Sequence, residues 1–275
     1  MGLFSFSDKP AYQLYTKEGK EISYESALKK IKEADVVLFG ELHNNPIAHW
    51  LELSLLKDLP SNKLLVGAEM FESDEQGMLN KYLNDEISLE EFERSADLWS
   101  NFSTDYAPIL EYSKENNIPV FATNCPRKYA RVVAKKGISA LDSLASEQKD
   151  FLPPLPVEMD ITLPGYQNML KESIHGESMW NNRFMAEAQA LKDATMAHFI
   201  FKNLKPGFNF IHFNGAYHSD NFEGIYWSLK KKNKNLKIVT ISTVEQRNVE
   251  KLDGSNLNKA DIIIAVPDDM TKTYR

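Results

Sequence analysis

The chain has 275 residues, 43% of them hydrophobic and 26% charged, with a net charge of −7. That is enough apolar material for one large domain, or one domain with a sizeable insertion, and the acidic balance excludes the basic surface of a typical nucleic-acid binder. A single cysteine, Cys125, excludes an internal disulfide framework and a Cys-rich zinc site.

The first residues, "MGLFSFSDKP", form a short apolar patch without a basic start. They read as a disordered tail or as the remnant of a trimmed export signal, and the second reading is preferred. It would make the native protein exported and membrane-anchored, although no apolar run approaches the ~20 residues of a membrane-spanning helix.

Six short apolar runs then read as strands: Val36–Gly40, Leu64–Ala68, Pro119–Thr123, Phe208–Phe213, Lys237–Ser242 and Asp261–Val266. They lack clean alternation, as strands covered on both faces do. Helical patterns between most of them predict an α/β fold with a mostly parallel sheet flanked by helices. The first crossover, "PIAHWLELSLLKDLPSN", has the length of a simple βαβ unit. The second and third are longer and have room for several helices. Capping patterns at Ser73 ("SDEQ") and Ser88 ("SLEE") mark helix starts, and "FLPPLP", Phe151 to Pro156, reads as a stiff extended link. The expected organisation is a parallel-sheet domain from residues 1–72, 101–126 and 180–275, carrying an inserted smaller helical subdomain from 73–100 and 127–179. The lysine run "KKKNKN", Lys230 to Asn235, reads as a solvated helix end.

The polar groups at the strand ends point to a site. "VVLFGE" and "LLVGAE" are apolar runs that thin to small residues and end in Glu41 and Glu69. The third strand ends at Asn124, with Arg127 just beyond, and the fourth runs into "NGAYH", with His218. In open α/β sheets, sites form outside this edge. Glu41 and His43 are two residues apart and share a face in extended chain. A carboxylate beside an imidazole fixes its tautomer and raises its basicity. The pair suits a general base, or a metal site completed by Glu69 and His218. Arg127 is then a stabiliser of developing negative charge. The bland alternative is a hydrogen-bond network that ties loops together. Gln189 and Asp193, one turn apart in the helix Phe184 to Leu204, either line the same site or form a polar helix face. His198 and His212 read as packing histidines, Cys125 as a small buried residue, and the role of His49 is open.

The ordered set "GELHNNP", "GAEMFESDEQ", Trp99, "YAP" at Tyr106, "TNCPRK", "QALKDATMAH" and "NGAYH" resembles the ChaN-like family of haem-binding uptake proteins. That family is related to the Tiki, TraB and erythromycin-esterase-like proteins, and the resemblance runs from about Leu38 to His218. It implies a parallel-sheet domain with a smaller helical bundle. It also implies a homodimer formed around two stacked haems, in a bacterial haem or iron uptake system that can include an outer-membrane haem receptor. The family's iron ligand is a tyrosinate, with His and Lys on the propionates. The motifs do not say which tyrosine is meant. "LPGYQNMLKESIHGESM" offers Tyr166 for the iron and Lys171 and His175 for the propionates, with Tyr106 and Tyr82 in reserve. The other function the residues allow is a hydrolase, esterase or peptidase, with Glu41 and His43 as base and Glu69, His218 and Arg127 as partners.

Overall fold

A computed structural model describes residues 9–171 and 179–274. His175 and the first eight residues lie outside this set. The chain begins with two short strands, β1 (Gln13–Thr16) and β2 (Glu21–Ile22), and helix α1 (Tyr24–Lys32). Strand β3 (Val36–Glu41), helix α2 (Pro46–Asp58) and strand β4 (Leu64–Glu72) follow. Helices α3 (Gln76–Leu83), α4 (Leu89–Ser95) and α5 (Ala107–Glu115) then lead to β5 (Val120–Asn124). Next come α6 (Arg127–Lys136), α7 (Ser146–Lys149), α8 (Pro164–Lys171) and the long α9 (Met179–Asn203). The chain closes with β6 (Asn209–Gly215), α10 (Gly224–Lys232), β7 (Ile238–Gln246) and β8 (Ile262–Pro267).

Among the described residues, all strands join one eight-stranded sheet in the order β2-β1-β8-β7-β3-β6-β4-β5. The six strands expected from the apolar runs are those from β3 to β8, and every pairing among them is parallel. The hairpin β1–β2 was not expected. It pairs antiparallel to β8 and forms one edge.

The sheet is covered on both faces because the side chains along each strand alternate between its two faces, and both sets are apolar. On one face Val37 and Phe39 join Val66, Ala68, Ile211 and Phe213, together with Ile31 of α1, Leu51 and Leu55 of α2 and Leu110 of α5. On the other, Val36, Leu38, Leu65 and Phe210 pack against Met196 and Ile200 of α9 and Ile225 and Leu229 of α10. The fold is therefore helix, sheet, helix in three layers. The long second crossover buries Leu79, Tyr82 and Phe92 in the first of these cores. In the third crossover, Tyr166 of α8 packs against Ala186 and Ala190 of α9 in a small separate cluster.

Ser88 caps α4 as expected, accepting from the Glu91 N–H. Ser73 does not cap α3. Its hydroxyl donates to the Phe151 carbonyl, and the first turn there is a short 3₁₀ segment. Among the described residues, no helix is long and apolar enough to cross a membrane.

Candidate functional site

The parity that builds the core also sorts the strand-end carboxylates. Glu41 continues the series Val37, Phe39 and points to the α2 side. Glu69 lies out of phase with Val66 and Ala68 and meets groups from the α9 side. The sequence after β3 turns at once into α2. Pro46 occupies its first turn, where the missing N–H costs nothing. The Asn45 side chain accepts from the Ile47 and Ala48 N–H groups at 3.0 and 3.2 Å. This tight start brings the buried face of α2 directly over Glu41.

On the α2 side, Glu41 is fully buried. Its Oε1 is 2.6 Å from His43 Nδ1 and accepts from the Tyr106 hydroxyl at 2.7 Å. Its Oε2 is 2.9 Å from His49 Nε2. Burial alone would raise the Glu41 pKa, but the hydrogen bond from His43 and the two imidazoles beside it outweigh burial and hold it at about 2. The same contact raises His43 against the effect of its own burial, with Glu69 adding to it. Burial, and next the Glu41 charge, pushes the Tyr106 phenol far above its usual range. Asp105 accepts from Asn101 at 2.6 Å and from Thr273 at 2.8 Å, and lies 3.5 Å from His49 Nδ1.

On the α9 side, Glu69 meets His218 Nε2 at 3.0 Å and accepts the Gly215 N–H at 2.8 Å. The other ring nitrogen of His218 is 2.5 Å from Asp193 of α9, which also accepts the Tyr166 hydroxyl at 2.6 Å. Burial would lower the His218 pKa, but two carboxylates, one on each nitrogen, push it up to about 10. Burial opposes it, yet the His218 charge drives Glu69 well below the ordinary carboxylate range. With a carboxylate on each nitrogen, His218 ties β4 to α9.

The two networks meet at Gly215. It pairs in register with Glu41 and donates to Glu69. A Cβ there would lie 2.7 Å from His43 Nε2 and 3.5 Å from Glu69 Oε2, so only a glycine lets the three groups approach. The His43 ring packs edge-on against Trp99 at 4.7 Å, and about a third of its side chain is exposed. Glu69 and Trp99 line a cleft of about 370 Å³ at this sheet edge, together with Asn101, Arg127, Lys192 and Tyr274.

Glu41 and His43 are thus in direct contact, as are Glu69 and His218, and both pairs lie against Gly215. Arg127 lines the cleft but is engaged elsewhere: its Nε is 2.9 Å from Glu72 and its Nη1 is 3.3 Å from Asp97. Tyr166 is buried with its phenol on Asp193, and burial, then that carboxylate, pushes its pKa far up. Lys171 ends α8 on the surface, and His175 lies outside the described residues. Asp193 joins the site, and Gln189 reaches His218 at 3.1 Å. His212 is a packing histidine, held by Thr123 and Asn214 and lowered to about 4 by burial. Cys125 is buried and its thiol is pushed up to about 12, mainly by burial. Asp105 and Glu52 were missed from sequence. The signal for Glu52 was "HWLE", a polar pair at i, i+3 on the apolar side of a short helix.

Comparison with known proteins bears on the fold and the family. The structure of ChaN of Campylobacter jejuni, described as showing cofacial heme binding, superposes with a TM-score of 0.70 at 18% identity, over 92% of this chain and 96% of that one. A succinoglycan biosynthesis protein shares the fold at a TM-score of 0.51 and 12% identity, over 88% and 90% of the two chains. The protein RETICULATA-RELATED 5, chloroplastic, of Arabidopsis thaliana is 28% identical over 135 residues. That stretch is 46% of this chain but 18% of the plant protein, so the chain covers less than a fifth of that relative. The model of the family described as haem-binding uptake, Tiki superfamily, ChaN, matches residues 27–229, and the chain belongs to that family.

Proposed function

We propose that this protein binds haem for a bacterial haem or iron uptake system, with two copies of the chain sharing the ligand. The observation that carries the reading is the family match across residues 27–229, together with a fold shared along nearly the whole length of a ChaN whose structure is described as binding heme cofacially. Haem supplies an iron centre that accepts a phenolate ligand. The region around α8 and α9 suits a porphyrin face: Tyr217 and Met185 are 51% and 47% exposed there, and the Tyr217 hydroxyl donates to the Gly165 carbonyl at 2.8 Å. Ligation through Tyr166 requires α8 to move and the bond to Asp193 to break. Tyr217 is already at the surface, at 51% exposure, so Tyr217 joins Tyr166 as a candidate ligand. Lys171, at the end of α8, and His175 are the candidate propionate partners. Export, membrane anchoring and delivery by an outer-membrane receptor fit the same reading. Haemin titration followed by absorbance and sedimentation tests it: failure of the parent protein to bind haemin ends it.

A second reading rests on the half-exposed His43. With Nδ1 committed to buried Glu41, its Nε2 is left to take a proton from a nearby water or hydroxyl. This suits ester or peptide hydrolysis, with Lys192 on the cleft wall attracting an acidic group and Arg127, paired with Glu72 and Asp97, beside it. A panel of ester and peptide substrates tests it, with His43→Ala as the control that must be inactive.

A further inference from the structure

The buried face of α2 carries two groups that neither reading uses. Its other buried residues include Ala48, Leu51, Leu55 and Leu56, all apolar. Among them His49 is 7% exposed and Glu52 is 0% exposed. Among the described residues no well-aligned hydrogen bond reaches either oxygen of Glu52 or either ring nitrogen of His49, although Glu52 lies against Glu41, and burial, then that carboxylate, raises its pKa well above the ordinary range. His49 Nε2 is close to Glu41 Oε2, at 2.9 Å, without a well-aligned hydrogen bond between them. Ligating atoms of Glu41, His49 and Glu52 all lie within 4.8 Å of one another. Buried polar atoms are ordinarily satisfied, and a cluster of unsatisfied acceptors facing one point needs a positive charge or a proton there.

We propose that Glu41, His49 and Glu52 are the protein ligands of a divalent first-row cation, Zn²⁺ or Mn²⁺. Two carboxylates balance the charge of such an ion in a site closed to water. One imidazole with two carboxylates is a nitrogen and oxygen donor set that suits either ion, and no thiolate is near to favour a softer one. Asp105, 3.5 Å from His49 Nδ1, supplies the outer carboxylate that commonly fixes a metal-bound imidazole with its other nitrogen toward the ion. Glu41 uses Oε1 for His43 and Tyr106, so Oε2 is left for the cation. The site is independent of the haem reading, because neither Tyr166 nor Tyr217 belongs to it.

The test uses the full chain, without haem, stripped with chelator and then given Zn²⁺, Mn²⁺ or Mg²⁺ alone. Metal retained after gel filtration is counted, and the melting temperature is followed against metal concentration. The parent should retain about one equivalent of Zn²⁺ or Mn²⁺, with a melting temperature that climbs with free metal as binding to the folded state requires. Glu52→Gln and His49→Gln should each cut retention at least tenfold and abolish the climb, whereas His198→Gln, at a half-buried packing histidine, should retain the metal. A parent that retains no metal and melts at the same temperature with and without it overturns the proposal, whatever the variants do. So does a Glu52→Gln protein that retains a full equivalent.

Discussion

Asp193 Oδ1 stands 2.5 Å from His218 Nδ1, and this contact ties the middle of α9 to the turn that follows β6. On its other nitrogen His218 meets Glu69 of β4, so one buried imidazolium joins a helix layer to the sheet. Such a group is held only while both partners are present. Removing one partner of a buried pair usually costs about 3–5 kcal/mol, because the remaining charge is left unpaired. Asp193→Ala should therefore lower unfolding stability by about that amount, read by urea denaturation. Tyr166→Phe, which removes one hydrogen bond to the same carboxylate, should cost about 1.5–3 kcal/mol.

The same clamp predicts a pH dependence. His218 titrates near 6.5 when unfolded and at about 10 when folded. A raised folded pKa means that the folded state binds the proton more tightly, so the contribution is fully present below about pH 6.5 and is lost as pH rises toward 10. The stability difference between the parent and His218→Gln should be largest near pH 6 and should shrink steadily between pH 7 and 10. A difference that is flat across this range would show that His218 is not charged in the fold.

Two glycines should respond with opposite sign. Gly215→Ala places a methyl 2.7 Å from the His43 ring and should cost about 1–3 kcal/mol through overpacking. Gly77, in the first turn of α3, has nothing within 4 Å of an added Cβ, so Gly77→Ala should stabilise by about 0.5–1 kcal/mol. Thermal melts of the two variants measure both effects.

Haem binding makes a further prediction. If a phenolate holds the iron, the charge-transfer band of the haemin complex disappears in either Tyr217→Phe or Tyr166→Phe and survives in the other. If two chains share the ligand, haem and association are linked, and sedimentation must show more dimer with haemin than without. Identical sedimentation profiles would remove the shared-ligand geometry while leaving binding itself intact.

For the cleft, His43→Ala should abolish any ester or peptide hydrolysis the parent shows while leaving haemin binding unchanged. Coincident loss of both would mean that His43 supports the fold at this edge and is not the base.

Much of the architecture was legible in the chain because parallel strands covered on both faces must be apolar along their length. Val36–Phe39, Leu64–Ala68 and Ile262–Val266 carry that requirement residue by residue. The strand-end residues Glu41, His43, Glu69 and His218 were legible for a related reason: titratable groups placed directly after such runs stand out. The hairpin β1–β2 was not, because "QLYT" is too short for an apolar run: it buries only Leu14 and Tyr15, one in each of two separate cores. Tertiary packing alone decided which side chains meet. Glu41 and Glu69 look alike in sequence, yet strand parity sends one toward α2 and the other toward α9. Arg127 follows the third strand as expected, but Glu72 and Asp97 hold it. The contacts of His49 and His218 come from residues 8 to 149 positions away along the chain. Local propensity carries no information about such distant pairings. They are set by how the helices pack against the sheet and by the cost of leaving a buried charge alone.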